Sequence, residues 1–254
     1  MAIVAVVGDA CTTTTVALAS AWPASSATLV VEADPTGGDL AAWFDMPVVP
    51  SLSTVVTSAI DTSSSEIDRH TRLAASGLRL IPAPPSATEA QQAVAESARS
   101  LAPALAALRS PITIVDAGDV PLTSAVHPLV ASAAVTVVVH RQRSQSPGAA
   151  AVRLQRLADQ LAAMSAGSVS LVAAVIGAHP FGFDQIESFL ADSVATQLVG
   201  LPVDSLTAAV YAGRTGVSAR RLARLPLARA AHELALVVQG AMHDRLRLAG
   251  SAGR

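Results

Sequence analysis

Ile3-Val4-Ala5-Val6-Val7-Gly8-Asp9-Ala10-Cys11-Thr12-Thr13-Thr14-Thr15 is the segment from which the rest of the chain can be read. An apolar run of strand length breaks at a Gly-Asp pair and gives way to a threonine-rich helix start that continues into Ala17-Leu18-Ala19. Strand, tight turn and helix N-terminus in that order open many nucleotide-binding α/β sheets. A full phosphate-binding loop needs glycines so that backbone amides can wrap the phosphates. It also needs a lysine for their charge and a Ser or Thr hydroxyl for magnesium. Here the position, the helix start and the hydroxyls are present, whereas the lysine and most of the glycines are not. A threonine-rich helix start is also an ordinary capping run, so residues 8–15 alone settle nothing.

Outward from this segment the same alternation repeats. Short β-rich runs at 3–7, 28–32, 78–82, 112–116, 134–140, 170–176 and 196–201 read as strands. Several are apolar on both faces, as parallel strands covered by helices must be. Helical periodicity marks 12–21, 87–108, 122–131, 147–166, 184–190, 205–212 and a last helix from Pro226 to about Arg247. The pattern predicts an α/β fold: a doubly wound, mostly parallel sheet with helices on both faces. Residues 1–249 are expected to form one domain and 250–254 a frayed tail, with 47–65 an irregular or short-helical excursion.

Composition removes several chemistries. All 17 basic residues are arginine, so no mechanism that requires a lysine is open to the chain. The single Cys11 excludes a disulfide framework and multi-cysteine metal centres. The six histidines show no metal-ligand spacing. Aromatics make up 3%, too few for a base-stacking platform. The apolar start lacks a basic leader and ends after a few residues, and no apolar run reaches membrane-spanning length, so a cytoplasmic protein is expected. Charge is uneven: residues 1–140 hold five arginines against 12 acids, and residues 141–254 hold 12 arginines against seven.

Ligands of such sheets bind beyond the carboxyl ends of the strands. Glu32-Ala33-Asp34-Pro35-Thr36-Gly37 follows the second expected strand, and Asp116 ends the apolar run Ile112-Thr113-Ile114-Val115. Taken in order with residues 8–15, these pieces resemble the MinD/ParA family of deviant Walker A ATPases, and the resemblance covers nearly the whole chain. The family opens with a strand, a Lys-Gly-Gly-x-Gly-Lys-Thr-Thr loop and a helix ending in Leu-Ala. Anchoring on Leu18-Ala19 without gaps puts Thr12 at the magnesium-binding threonine, with Thr13 beside it. It puts Cys11 at the Walker lysine, Ala10 at the preceding glycine and Val6 at the second, dimer-crossing lysine.

The resemblance implies a P-loop NTPase fold with nucleotide-binding positions at Gly8, Asp9, Ala10, Cys11, Thr12, Thr13, Pro202 and Asp204. Glu32 and Asp34 match the family's Asp-x-Asp-Pro-x-Gly acids, here a vestigial catalytic pair. Thr12 with Asp116, the Walker B match, would hold magnesium. Leu201-Pro202-x-Asp204 with Gly213 and Gly216 resembles the segment before the family's last helix. ATP and magnesium are the implied cofactors, bound weakly or not at all.

The departures shape the functional expectation. Removing one transition-state charge costs on the order of 10²–10³ in rate, and both family lysines are missing. Arg141 and Arg143 follow a strand tip and are the candidates to replace them, although a planar guanidinium is no like-for-like substitute. Gly177-Ala178-His179-Pro180 stands where the family carries a base-recognising Asn. The expectation is a degenerate, non-hydrolysing or very slow relative, homodimeric, working with a partner protein of a positioning, pilus or secretion system. The atypical TadZ/CpaE-like members, which have degraded Walker loops, are the nearest functional resemblance, without their receiver-like N-terminal domain. The alternatives are a working ATPase with an unorthodox loop that partitions DNA or protein cargo, and a nucleotide-free scaffold. Arg214, Arg220, Arg221 and Arg224 match the region where ParA-like dimers grip DNA non-specifically. They read equally as a solvated helix face. A Lys-rich amphipathic tail is missing, so no membrane attachment is expected.

Overall fold

A computed structural model describes residues 3–23, 26–58, 64–108, 110–119, 125–143, 146–165, 170–191 and 196–251. Strand β1 (Ile3–Gly8) leads into helix α1 (Cys11–Ser20), then β2 (Thr28–Glu32) and three short helices, α2 (Leu40–Trp43), α3 (Leu52–Ser58) and α4 (Ser64–His70). An edge hairpin follows, β3 (Arg72–Leu73) and β4 (Arg79–Ile81), then α5 (Ala87–Ala107), β5 (Ile112–Asp116) and α6 (His127–Ala131). The remainder is β6 (Val135–Arg141), α7 (Pro147–Ser165), β7 (Ser170–Ile176), α8 (Phe183–Ala191), β8 (Gln197–Leu201), α9 (Ser205–Tyr211), α10 (Ala219–Leu222) and α11 (Pro226–Ser251).

The strands form one eight-stranded sheet in the order β3-β4-β2-β5-β1-β6-β7-β8. Every pair is parallel except β3 with β4. The chain winds outward from β1 in both directions, which is the doubly wound topology expected. Strand β1 shows why the sheet needs cover on both sides. Ile3, Ala5 and Val7 pack with Leu101 and Leu105 of α5 and Leu154 and Leu161 of α7. Val4 and Val6 pack the other way, with Leu18 of α1 and Leu234 and Val238 of α11. Period-2 alternation thus feeds two separate cores. Each fully buried aliphatic side chain contributes about 1.5–3 kcal/mol.

Two expectations need adjustment, the tail at 250–254 and the helix at 122–131, while the short-helical reading of 47–65 holds over its described residues. Helix α11 runs to Ser251, so residues 250 and 251 are helical rather than tail, and 252–254 lie outside the described residues. The excursion at 47–65 carries α3 and the start of α4, with 59–63 outside the described residues. Within the helix expected over 122–131, the described part is α6 from His127, and 120–124 lie outside.

Candidate functional site

The parallel register brings the carboxyl ends of β1, β2 and β5 together. Asp116 is level with Val6 on one side and Glu32 on the other. Two buried acids therefore stand on neighbouring strand tips with no lysine in the chain to offset them.

Glu32, 1% exposed, has a structural task. Its Oε1 accepts from the Asp39 amide at 2.7 Å and the Leu40 amide at 3.0 Å, and its Oε2 from the Ala83 amide at 2.9 Å. One carboxyl caps α2 and ties β2 to the turn after β4, leaving little capacity for an attacking water. Burial, reinforced by the neighbouring Asp116, pushes its pKa up to about 8 against the pull of those three amides. Asp34 also serves the backbone, its Oδ1 accepting from the Thr36 amide at 2.8 Å and the Thr36 hydroxyl at 2.7 Å. Its carboxylate lies over Gly118, where an added Cβ would come within 2.5 Å of Asp34 Cγ.

Asp116 is different. Its Oδ1 accepts from the Gly118 amide at 3.3 Å, whereas its buried Oδ2 has no hydrogen-bond partner among the described residues. Burial pushes its pKa up, while the neighbouring Cys11 thiol and Thr12 hydroxyl favour the charged form. Cys11, at the lysine position of the resemblance, is itself buried. Burial and the Asp116 charge drive its thiol pKa far above the ordinary range, so it is no ready nucleophile.

The connection between β1 and α1 corrects the gapless placement. The strand continues through Gly8, level with Val139 of β6, and the helix begins at Cys11, so Asp9 and Ala10 alone join them. A phosphate-wrapping loop spans four residues between its two glycines before the lysine; this one is too short to encircle a phosphate. Val6 is fully buried inside β1 and cannot occupy a dimer-crossing position. Gly8 is required by the sheet: with φ at +108°, an added Cβ would lie 2.3 Å from the Val139 carbonyl oxygen. Ala10 adopts a left-handed conformation (φ +57°), which costs a non-glycine residue roughly 1–2 kcal/mol. Asp9 stands at the mouth of this turn, its Oδ1 accepting from Arg143 Nη2 at 3.0 Å. One of the two arginines proposed to replace the lysine is therefore answered by the chain's own carboxylate.

The other end of the sheet is open. A cleft of about 280 Å³ lies over the tips of β6, β7 and β8, between α1 and α9. Ala10, Thr13, Pro202 and Asp204, all expected to bind nucleotide, line it together with Arg141. Asp204, however, is spent on structure. It accepts from the Thr207 amide at 3.0 Å, the Thr207 hydroxyl and the Leu227 amide at 3.3 Å, capping α9 and anchoring the start of α11. Burial opposes its charge, but these donors outweigh it and the pKa falls below the usual value. The segment 177–181 after β7 is closed by Gln142. Its Nε2 donates to the Gly177 and Phe181 carbonyls at 2.6 and 2.8 Å, and its Oε1 accepts from the Phe181 amide at 3.1 Å.

Of the proposed DNA-contact arginines, Arg214 lines this cleft, while Arg220, Arg221 and Arg224 are exposed on and after α10. Trp43, Ala208 and Ala209 of α9 and its C-cap Ala212 also line the cleft and carried no signal in the sequence. Among the described residues no cluster of three or more His, Cys, Asp or Glu is placed to hold a metal, and no helix is long and apolar enough to cross a membrane.

No protein-family model matches the chain, and no curated protein does. Solved structures do. A ParA family ATPase from Chlorobium tepidum superposes with a TM-score of 0.67 at 15% identity, covering 92% of this chain and 97% of that one. The cell division ATPase MinD of Pyrococcus furiosus gives 0.70 at 11% identity, over 94% and 98%. Cobyrinic acid a,c-diamide synthase from Mycobacterium smegmatis, solved with an ATP analogue and magnesium, gives 0.61 at 16% identity, over 94% and 95%. The fold is that of the MinD/ParA-type P-loop ATPases.

The residues present fit one part of a magnesium nucleotide and not the other. The orphaned Asp116 Oδ2 beside Thr12 is a suitable cation ligand. The phosphate cradle does not fit: its loop has two residues, its lysine is a buried thiol and an aspartate sits in its mouth.

Proposed function

We propose that the chain is a degenerate MinD/ParA-like protein with weak or no ATP hydrolysis. In this reading it acts as a dimeric positioning or scaffold module for a secretion, pilus or partition apparatus. The observation that carries the reading is the two-residue connection from Gly8 to Cys11. Phosphoryl transfer depends on positioning and charge stabilisation rather than covalent chemistry by the protein. A site without a wrapping loop or a lysine supplies little of either. Glu32 and Asp34, as the acids of that ancestral site, hold backbone instead of water.

Calorimetry with ATP and magnesium, followed by a phosphate-release assay on the purified chain, tests the reading. The expected result is weak or undetectable binding and no turnover above background, and steady turnover would overturn it. Restoring the lysine alone, as Cys11→Lys, is expected to leave turnover absent because the loop remains too short. The orphaned oxygen of Asp116 favours a second reading, an ATPase with an unorthodox loop. Magnesium-dependent ATP binding lost in Asp116→Asn, together with turnover, would select it. Non-specific DNA binding through Arg220, Arg221 and Arg224 predicts affinity for random duplex that falls steeply with salt and with the triple alanine variant.

A further inference from the structure

A second cavity, of about 200 Å³, opens on the opposite face of the sheet from α1. The phosphate position of the family lies at the start of α1, which packs with Val4 and Val6. This cavity lies beside α7, on the face of Ile3, Ala5 and Val7. Strand alternation explains how it is furnished. In β6, Val137 and Val139 face α1 and α11 while Val138 faces α7, so His140 follows Val138 to the α7 side. Along α7, Leu154, Leu157 and Leu161 are buried, and Arg153, Arg156 and Gln160 each precede one of them. At helical spacing these three form a polar stripe on the shoulder of the buried one, and all three line the cavity.

The charges around this cavity do not cancel. Asp9 is answered by Arg143 at 3.0 Å. Arg153, Arg156 and Asp119 also line the space, and none of the three is ion-paired among the described residues. Burial and the Asp9 charge raise the pKa of Asp119, while Arg143 and Arg153 pull it back. Burial lowers the pKa of His140, opposed by Asp9 and reinforced by Arg153 and Arg143, so its imidazole is neutral at pH 7. What remains is two guanidinium groups, one carboxylate and two neutral hydrogen-bonding side chains, His140 and Gln160. Among the described residues the acids and the histidine are not placed to hold a metal.

A guanidinium fork matches the paired oxygens of a carboxylate. The complement of two such forks and one carboxylate is a molecule with two carboxylates and one ammonium. We propose that this cavity binds a free acidic amino acid, its carboxylates on Arg153 and Arg156 and its ammonium on Asp119, with His140 and Gln160 as further polar contacts. Binding there needs neither magnesium nor a triphosphate, and it holds whether or not a nucleotide ever engages the start of α1.

The test is titration calorimetry on the full chain in EDTA with L-aspartate and L-glutamate, and with succinate as the dicarboxylate that lacks the ammonium. One-to-one binding of either amino acid, about tenfold or more tighter than succinate, is the expected result. Arg153→Gln/Arg156→Gln should weaken binding by about tenfold or more. Asp119→Asn should erase the preference over succinate, with urea midpoints reporting whether each variant folds. His140 provides a readout on the wild-type chain that needs no folded variant: its imidazole NMR resonances should shift on addition of the amino acid. Absence of binding by both amino acids at millimolar concentration would overturn the proposal, as would succinate binding equally well, folded variants that bind as the wild type does, or His140 resonances that stay in place. Displacement of the amino acid by ATP and magnesium would also overturn it, because the cavity would then belong to the nucleotide site.

Discussion

The two ends of this sheet's ligand edge have diverged. At the tips of β1, β2 and β5 the acidic residues survive, but Glu32 and Asp34 are tied to backbone amides and Asp9 to Arg143. At the tips of β6, β7 and β8 lies a cleft of about 280 Å³ whose lining includes Arg141 and Arg214, neither ion-paired among the described residues. The contrast teaches how a strand edge without any lysine accommodates its acids. Buried carboxylates must be hydrogen-bonded, paired or neutralised. On the acidic side the backbone and raised pKa values do that work, and the functional geometry closes around them. The other end holds the open cleft.

Substitutions on each side sharpen the comparison. The largest effect is expected at Glu32→Ala, which strips three amides of their acceptor and should lower unfolding free energy by about 3–5 kcal/mol in urea titrations. An unchanged midpoint would show that the acidic end is not structural.

The next test is pH. Because the folded-state pKa of Glu32 is raised from 4.5 to about 8, the native state holds the proton more tightly than the unfolded chain. Its contribution is complete below about pH 4.5 and is lost as pH rises through about 8, on the order of 2–4 kcal/mol. Wild-type stability should therefore fall from pH 5 to 8 more steeply than that of Glu32→Gln, as read from denaturation midpoints at each pH.

On the cleft side, Asp204→Ala removes the α9 cap and the anchor of α11, an expected loss of about 1–2 kcal/mol. The smallest change belongs to Arg143→Ala. Its partner Asp9 is mostly covered but Arg143 is half exposed, and such a pair is worth less than about 1 kcal/mol by thermal melts. A larger loss there would mean that the turn at Ala10 depends on the ion pair.

The sequence carried the architecture because β-rich runs and amphipathic helices have different periods, and each of the seven expected strands has its counterpart in the sheet. The two-residue β3 was too short to leave a pattern. The site was legible only in part. Residue types at Glu32 and Asp116 marked the ends of β2 and β5. What failed was the gapless alignment: it set Val6 at a loop lysine of the family, although residues 3–7 read as a strand and Val6 lies inside β1. Asp204 was read as a ligand contact although an Asp three residues before a Thr at a helix start is also a capping pattern. The cleft's alanines and Trp43 left no trace because their meaning arises only when α9 is laid against α1 and α2.

The side-chain amide of Gln142 has a consequence for the chain just after β7. By stitching 177 and 181 to the end of β6 it gives this stretch its final shape. Any surface built on this segment therefore comes preformed, with no wandering loop left to freeze.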